Sequence, residues 1–406
     1  MLRKGVFILA VGLAACADAT GPGVRPITEL PRPLTDAERT VIGASNGFAF
    51  SLMRQLNAAA PDSNLFISPL SVSMALGMTM NGTAGQTLDE MRTTLGFADF
   101  PLADANESYK SLIALLRGLD SRVDFRIANS IWHEQSFPVE SSFLETTNTF
   151  FDAEVAARDF RDPATLQAIN SWVNTATAGK IDHILDEIPS DAVMYLINAI
   201  YFKGDWTTSF DARNTEQQPF AGIAGSVTAP LMHKRDSVTY VEVDGVQAIE
   251  LPYGGGAFAM TVVLPPHGSD INDFIAGISQ AEWDALHGAM TPQDLLVWLP
   301  KFTLERDYEL EDALQGLGMH LAFGGGDFSP LSSTMGDRLE VSEVKHKTFV
   351  DVHEEGTEAA AVTSVGIVLV CAFCGPPAFR ADRPFVFAIR ERISGTILFM
   401  GKIARM

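Results

Sequence analysis

Residues 354–370 read Glu-Glu-Gly-Thr-Glu-Ala-Ala-Ala-Val-Thr-Ser-Val-Gly-Ile-Val-Leu-Val. The stretch starts charged, passes through small side chains and ends apolar. Composition alone favours an ordinary strand or an alanine-rich helix. At a period of two, however, one face carries no charge, namely Thr357, Ala359, Ala361, Thr363, Val365, Ile367 and Leu369. Because residues 362–370 form a low-charge window that would aggregate through an exposed edge, we interpret the segment as a strand.

In the rest of the chain, helical patterns come first and strand patterns follow. Apolar spacing predicts helices over 44–56 and 164–178, and Pro69 marks the first turn of another. Strand signals dominate later, over 193–202, 248–251, 258–264, 295–299, 340–352, 385–389 and 396–400. This order predicts an α+β protein.

Composition excludes several classes of function. The 406 residues include 29 Lys+Arg and 50 Asp+Glu, a net charge of −21, and 47% are hydrophobic. Such an acidic chain lacks the clustered cations that nucleic-acid binding requires, so we expect no nucleic-acid partner. Its three cysteines exclude a disulfide scaffold.

Patterns that support catalysis or cofactor binding are missing. The glycine runs 254–256 and 324–326 lack the Gly-Lys-Ser/Thr of a phosphate-binding loop and are predicted turns. No Gly-x-Ser-x-Gly elbow occurs, although a triad assembled from distant residues stays open. Cys371 and Cys374 supply half a zinc site at most, and His353 has no second histidine four residues on. We therefore predict no enzyme, no cofactor and no metal site.

The N-terminus has the features of an export signal. Arg3 and Lys4 precede an apolar run over 5–15 that is too short to cross a bilayer. The closing Leu-Ala-Ala-Cys predicts a signal peptide over 1–15 and a lipid-anchored Cys16. An ordinary secretory signal cut elsewhere is the alternative. Residues 16–37, rich in Pro and Gly, are a predicted tether, and 38–406 a single domain.

Six segments of the chain, in order, resemble those of one family, the serpins. Residues 354–361 are similar to the proximal hinge of an inhibitory reactive-centre loop, and 382–390, Asp-Arg-Pro-Phe-Val-Phe-Ala-Ile-Arg, to the C-terminal signature. Further similar segments are Phe-Ile-Ser-Pro-Leu-Ser at 66–71, Asn-Ala-Ile-Tyr-Phe-Lys-Gly-Asp-Trp at 198–206, Leu-Pro-Lys-Phe at 299–302 and Val-Lys-His-Lys-Thr-Phe at 344–349.

The resemblance implies a serpin fold in one domain. It would have a large central β-sheet, two further sheets and about eight or nine helices, with an exposed reactive-centre loop at about 354–380. It also implies a mechanism in which the loop is bait: after a protease cuts it and is acylated, the loop enters the central sheet as an extra strand. A protease is then the expected partner of a monomer.

The resemblance also implies roles for particular residues. The loop hinge comprises Glu354, Glu355, Gly356, Thr357, Glu358, Ala359, Ala360 and Ala361. A polar cluster that controls opening of the central sheet comprises Ser68, Ser71, Asn198 and His346. Insertion would start near Trp206 and Lys301. Three of these assignments have an ordinary alternative: His346 and Trp206 as plain core residues, and Lys301 with Glu354 as a weak surface pair.

Counting along the hinge as in the family's inhibitors places the scissile bond at Val370–Cys371. Valine suits elastase-like proteases, whereas cleavage at Leu369 or Phe373 would suit chymotrypsin-like or subtilisin-like enzymes. Cys371 and Cys374 follow this bond and are either incidental or a redox-sensitive pair.

Two classes of function follow. The first is a suicide-substrate inhibitor of serine proteases, with papain-like cysteine proteases as further targets. The second is a non-inhibitory serpin that binds or carries a ligand; small hinge residues favour the first. The N-terminus implies export to a bacterial cell envelope, in the periplasm or on the surface, or into the medium.

Overall fold

The computed structural model describes residues 26–357 and 377–406, and within them lie nine α-helices and fifteen β-strands. The helices are α1 (Asp36–Ala59), α2 (Pro69–Met80), α3 (Gly85–Thr94), α4 (Leu102–Leu116), α5 (Ser141–Phe151), α6 (Pro163–Ala176), α7 (Ile271–Gly277), α8 (Gln280–Ala289) and α9 (Glu311–Gly316). None of these combines the length and apolar character needed to cross a bilayer.

Among the described residues, six of the nine helices precede Met194 and twelve of the fifteen strands begin at or after it, which agrees with the order that the sequence predicts. They are β1 (Leu65–Ile67), β2 (Val123–Glu134), β3 (Ala153–Arg158), β4 (Met194–Asp205), β5 (Glu216–Gly222), β6 (Gly225–Val243), β7 (Val246–Tyr253), β8 (Phe258–Leu264), β9 (Thr291–Pro300), β10 (Phe302–Glu309), β11 (Lys345–Val352), β12 (Gly356–Thr357), β13 (Ala378–Arg380), β14 (Phe385–Glu391) and β15 (Ile397–Ile403).

Two helices near the N-terminus show how local chemistry sets their ends. Thr35 and Glu38 form a capping box that starts α1: each side chain accepts a hydrogen bond from the other residue's backbone N–H. Pro69 stands at the first position of α2, where its missing N–H costs nothing. All residues of α2 except Ala75 are buried, so this helix runs through the interior.

The larger sheet contains nine strands in the order β1-β15-β14-β8-β7-β6-β9-β13, with β5 paired to β6. Every residue of β8, β14 and β15 is buried, which means that the centre of this sheet is covered on both faces. The nineteen-residue β6 pairs with β7 near one end and with β5 and β9 along the rest. It thereby joins the two further sheets that we expected into one hydrogen-bonded surface.

The second sheet has six strands in the order β10-β11-β12-β4-β2-β3. Along β11 the buried residues are His346, Thr348, Val350 and Val352, a period of two. The prediction of a strand over 340–352 is wrong at its start, because residues 340–344 form no regular secondary structure. The partner β10 ends at Glu309, where α9 follows, and the Val341 N–H instead donates to the Ala322 carbonyl.

Both glycine runs lie in turns, as predicted. The run 254–256 connects β7 to β8, with φ of 53° at Gly254 and 92° at Gly256, values that favour glycine. Residues 26–35, part of the predicted tether, form neither helix nor strand. They pack Ile27, Leu30 and Leu34 against the core.

Candidate functional site

The six-stranded sheet has an opening between β4 and β11. Each strand pairs with the two-residue β12, and no pairing of β4 with β11 occurs among the described residues. Residues 194–200 of β4 and 345–348 of β11 line a cavity of about 320 Å³. Because adjacent strands lie about 4.8 Å apart, two strands that share a partner leave room for one further strand. We call this opening the sheet gap.

The hinge residues 354–357 occupy the mouth of the sheet gap. Thr357 pairs with Val352 on one side and Gly204 on the other. Gly356 fits because it has no side chain: a Cβ there would overlap the Gly204 carbonyl. The Glu355 carbonyl accepts a hydrogen bond of 2.8 Å from the Trp206 backbone N–H. The structure therefore brings the predicted hinge start and Trp206 together.

The Thr357 side chain contacts the hydroxyl group of a buried tyrosine, Tyr253. Its Oγ1 lies 2.6 Å from the Tyr253 hydroxyl, and both side chains are buried. Burial raises the pKa of Tyr253, so this hydroxyl stays protonated. The Tyr253 ring stacks on Trp206 at 4.4 Å between centroids, and the Trp206 indole donates to the His353 carbonyl at 2.9 Å. These contacts fix the position of the first residues of a strand in the sheet gap.

Lys301 and Glu354 meet at the same end of the sheet. Lys301 Nζ lies 2.8 Å from Glu354 Oε2, and the Thr215 hydroxyl donates to Oε1 at 2.6 Å. Burial raises the pKa of Glu354, the bonds from Lys301 and Thr215 lower it, and the net pKa lies below its ordinary value. The Lys301 side chain is 38% exposed, which makes this pair a solvent-screened contact.

The predicted polar cluster lies at the inner face of the sheet gap. The Ser68 backbone N–H donates to His346 Nε2 at 2.9 Å, and the Ser68 hydroxyl donates to the Leu398 carbonyl at 2.8 Å. Burial lowers the pKa of His346 to about 4, so its ring is neutral and can accept that hydrogen bond. The structure thus joins the start of α2 to β11 through a neutral histidine.

Ser71 and Asn198 complete this cluster on the β4 side. The Ser71 hydroxyl donates to the Asn198 carbonyl at 3.4 Å, and the Asn198 amide donates to Asn129 Oδ1 at 2.7 Å. Among the atoms that the structure describes, Asn198 Oδ1 is buried without a hydrogen-bond partner. An unpaired buried acceptor is costly, and this one belongs to a residue that lines the sheet gap.

Helix α6 covers the gap from the opposite side. Val173 of α6, with Ile184 and Leu185 of the following loop, lines the cavity and packs in one hydrophobic cluster with Tyr195. A strand that enters the sheet gap would therefore lie between α2 and α6, with its alternate residues facing each of them.

Sequence reasoning missed Tyr253, Thr215 and Asn129. Tyr253 has one local signal, its position directly before the glycine run at 254–256. The other predicted site residues lie outside the described residues: Cys16, Glu358, Ala359, Ala360, Ala361, Leu369, Val370, Cys371 and Phe373.

Comparisons with known proteins support the same fold. Residues 43–406 match the family model described as Serpin (serine protease inhibitor). Leukocyte elastase inhibitor of Xenopus laevis is 35% identical over 376 residues, which are 88% of this chain and 97% of that protein.

Two solved structures are similar in three dimensions. Tengpin, a thermophilic serpin in its native state, gives a TM-score of 0.82 at 30% identity, covering 94% of this chain and 97% of that chain. Human thyroxine-binding globulin gives a TM-score of 0.82 at 28% identity, covering 91% and 99%. These similarities confirm the fold that the motifs predict.

Proposed function

Because the chain belongs to the serpin family, as its motifs predict, we propose that it is an irreversible suicide-substrate inhibitor of serine proteases. The observation that carries this proposal is the sheet gap, with Gly356 and Thr357 already paired at its mouth. Insertion of a serpin loop is a known example of strand addition to a sheet. A protease that cuts the loop would release a strand whose first two residues are in place.

The register at the mouth fixes where later residues would lie in an inserted strand. Thr357 lies opposite Val352, and partners in an antiparallel pair step in opposite directions along the chain. The expected inward pairs with β11 are Ala359 with Val350, Ala361 with Thr348 and Thr363 with His346. These β11 residues form its buried face. The uncharged face of the loop would therefore be the buried one.

Insertion would have both the reach and the driving force for inhibition. The fourteen residues from Thr357 to Val370 span roughly 45 Å at about 3.3 Å per residue. Each larger inward side chain contributes about 1.5–3 kcal/mol on burial, and each new ladder hydrogen bond about 1 kcal/mol net. The moving strand would pull the acylated serine away from its histidine and oxyanion hole, which suppresses deacylation.

The residue before the cut decides the class of target. For cleavage at Val370–Cys371 we propose elastase-like proteases, because a small apolar pocket accepts valine. Leukocyte elastase inhibitor, the amphibian relative, is named for such a target. Cleavage after Leu369 or Phe373 would redirect the inhibitor to chymotrypsin-like or subtilisin-like enzymes. Mass spectrometry of the released C-terminal fragment identifies the bond.

The decisive experiment incubates the protein with elastase-like, chymotrypsin-like and subtilisin-like enzymes and looks for a denaturant-resistant covalent adduct. Thr357→Arg would place a charge in the buried site beside Tyr253, so we expect cleavage without adduct. Thr228→Arg is the matched control, because Thr228 is an exposed strand residue on β6. A Thr357→Arg adduct at the yield of the control would rule out insertion as the mechanism.

A carrier function is the second candidate, favoured by the similarity to human thyroxine-binding globulin. It predicts no adduct with any member of the protease panel. It also predicts a ligand that raises the unfolding temperature of the uncut protein. The small residues at 356, 357 and 359–361 support the inhibitor instead, because bulky or charged residues on the face that contains Thr357, Ala359 and Ala361 would obstruct entry into the sheet.

For the location of the protein we propose the bacterial cell envelope, with a lipid on Cys16 as the anchor. The Leu-Ala-Ala-Cys box at 13–16 supports this proposal. Several buried acyl CH₂ groups, at about 0.8 kcal/mol each, would hold the protein at a membrane surface. Cys16→Ser should release it into the soluble fraction, and continued membrane association of that variant would contradict the anchor.

A further inference from the structure

The glycine turn at 254–256 stands directly next to the mouth of the sheet gap. It follows Tyr253, whose hydroxyl contacts Thr357. The turn is tied to the end of β4, because the Gly254 N–H donates to the Asp205 carbonyl at 2.8 Å. Three consecutive glycines have little conformational preference of their own. The position of this turn, and of Tyr253 before it, therefore depends on groups that contact it from other segments.

Asp120 provides one such contact from the loop before β2. Its carboxylate accepts two backbone hydrogen bonds, from Gly255 N–H to Oδ2 at 2.7 Å and from Arg122 N–H to Oδ1 at 3.0 Å. Asp120 is 3% exposed, so this carboxylate is removed from water and depends on those donors. It connects the loop before β2 to the glycine turn.

The N-terminal segment provides a second contact on the same turn. The Ile27 N–H donates to the Gly255 carbonyl at 2.8 Å, and the Ile27 side chain packs on the core. Five residues further on, Arg32 pairs with the buried Glu38 of α1 and donates to Ser111 of α4 at 2.6 Å. The segment 26–34 is thus fixed at the glycine turn by one end and at two helices by the other.

We infer that Asp120 and segment 26–34 are positioning elements for loop insertion. By holding the glycine turn, they keep the Tyr253 hydroxyl at the place where Thr357 meets it, and so they set how fast the cut loop enters the sheet gap. If the turn shifted, the Tyr253 and Thr357 hydroxyls would both be buried without a partner, which disfavours the paired hinge. This inference rests on the proposed insertion mechanism.

Asp120→Asn tests the inference with a change of one atom. Asparagine offers one acceptor oxygen where aspartate offers two, so either Gly255 or Arg122 loses its hydrogen bond. We expect insertion after cleavage to slow roughly tenfold, as for the loss of a charge-assisted hydrogen bond. Asp124→Asn is the matched control, since the Asp124 side chain on β2 is 42% exposed and pairs only with Arg126 among the contacts that the structure gives.

A metalloprotease such as thermolysin should cut the loop in this experiment, because it forms no acyl-enzyme. The rate is followed as the appearance of heat-resistant protein after the cut. Absence of an adduct with serine proteases would overturn the proposed function, whereas equal insertion rates for Asp120→Asn and Asp124→Asn would overturn the inference. A cut wild-type protein that never gains heat resistance would overturn both.

The N-terminal contact is tested separately, so that a folding defect in Asp120→Asn cannot decide the matter. A chain that begins at Glu29 lacks the Ile27 contact, and a chain that begins at Pro26 retains it. We expect insertion in the shorter chain to slow by more than its small loss of melting temperature before the cut accounts for. Identical insertion rates in the two chains would remove segment 26–34 from the inference.

Discussion

The two sheets of this molecule differ in one respect, their completeness. In the nine-stranded sheet, β14 pairs with β15 on one side and β8 on the other, and all three strands are buried throughout. In the six-stranded sheet, β2 pairs with β4 over eleven residues and β10 with β11 over eight, yet among the residues that the structure describes only Gly356 and Thr357 connect the two halves. Both sheets contain strands that pair regularly with their neighbours. The difference lies in a strand position for which the described residues supply only the two at its mouth.

The largest effect is expected from filling the sheet gap. Cutting the loop should let it complete the six-stranded sheet. With several inward side chains buried at about 1.5–3 kcal/mol each, we expect the unfolding temperature to rise by roughly 10–20 °C. Thermal unfolding of cut and uncut protein measures this. If the cut protein unfolded at the same temperature as the uncut protein, the six-stranded sheet would store no free energy.

A matched pair of glycine substitutions tests the difference between the two sheets. In the nine-stranded sheet, a Cβ on Gly401 would lie 2.7 Å from the Leu65 carbonyl oxygen and 2.5 Å from the Phe387 ring. Gly401→Ala should lower the free energy of unfolding by about 1–3 kcal/mol through overpacking. At the mouth of the gap, Gly356→Ala should instead expel β12, leaving the unfolding temperature almost unchanged while reducing the adduct yield. Equal losses of stability in both variants would argue against a separable hinge.

One buried and one half-buried histidine allow a comparison by pH. Burial lowers the pKa of His346, at the gap, to about 4; burial and the nearby Arg390 do the same for His287, which contacts Thr261 of β8. Unfolding returns each to a pKa of about 6.5, so the unfolded chain binds more protons between pH 6.5 and 4. The free energy of unfolding should fall across that window as pH drops, by roughly 3 kcal/mol per histidine at most.

Substitution with glutamine separates the two sites. His346→Gln keeps an acceptor for the Ser68 N–H but cannot be protonated, so it should remove its share of the acid sensitivity. Of His346→Gln and His287→Gln, only His346→Gln should also make insertion of the cut loop insensitive to pH. His183→Gln is the control, because the His183 side chain is 45% exposed. If His346→Gln and His183→Gln gave the same pH profile of unfolding, the buried histidine would not be a source of acid lability.

The smallest effect is expected at the Lys301–Glu354 pair. Lys301 is partly exposed, and Glu354 retains the hydrogen bond from Thr215 when the lysine is lost. Lys301→Met should therefore change the free energy of unfolding by about 0–1 kcal/mol. Arg235→Met removes an exposed pair with Asp294 in the nine-stranded sheet and is the matched control. A loss of stability several times larger for Lys301→Met than for Arg235→Met would mean that the Lys301–Glu354 pair helps to hold the mouth of the sheet gap.

Periodic features of this fold could be predicted from the sequence. Alternation predicts β11 from Lys345 onward, and Pro69 predicts the start of α2. The glycine run at 254–256 predicts a turn. In each case the signal and the structure lie in the same few residues, because propensity and burial act along a continuous segment.

Contacts between distant segments could not be predicted in this way. Tyr253 and Thr357 are 104 positions apart, and Asp120 and Gly255 are 135 apart. Neither pair leaves a pattern near its own residues, since a tyrosine before a turn and an aspartate in a loop are ordinary. The polar cluster of Ser68 and His346 came from family resemblance alone.

Trp206 is an intrinsic fluorescence probe of the mouth of the sheet gap. Its indole stacks on Tyr253 and donates to the carbonyl of His353, three residues before the first paired hinge residue. Any withdrawal of the hinge would change the polarity around that ring and its hydrogen bond, and hence its fluorescence. The remaining four tryptophans, Trp132, Trp172, Trp283 and Trp298, can be replaced with phenylalanine, so that emission follows the mouth of the gap in real time.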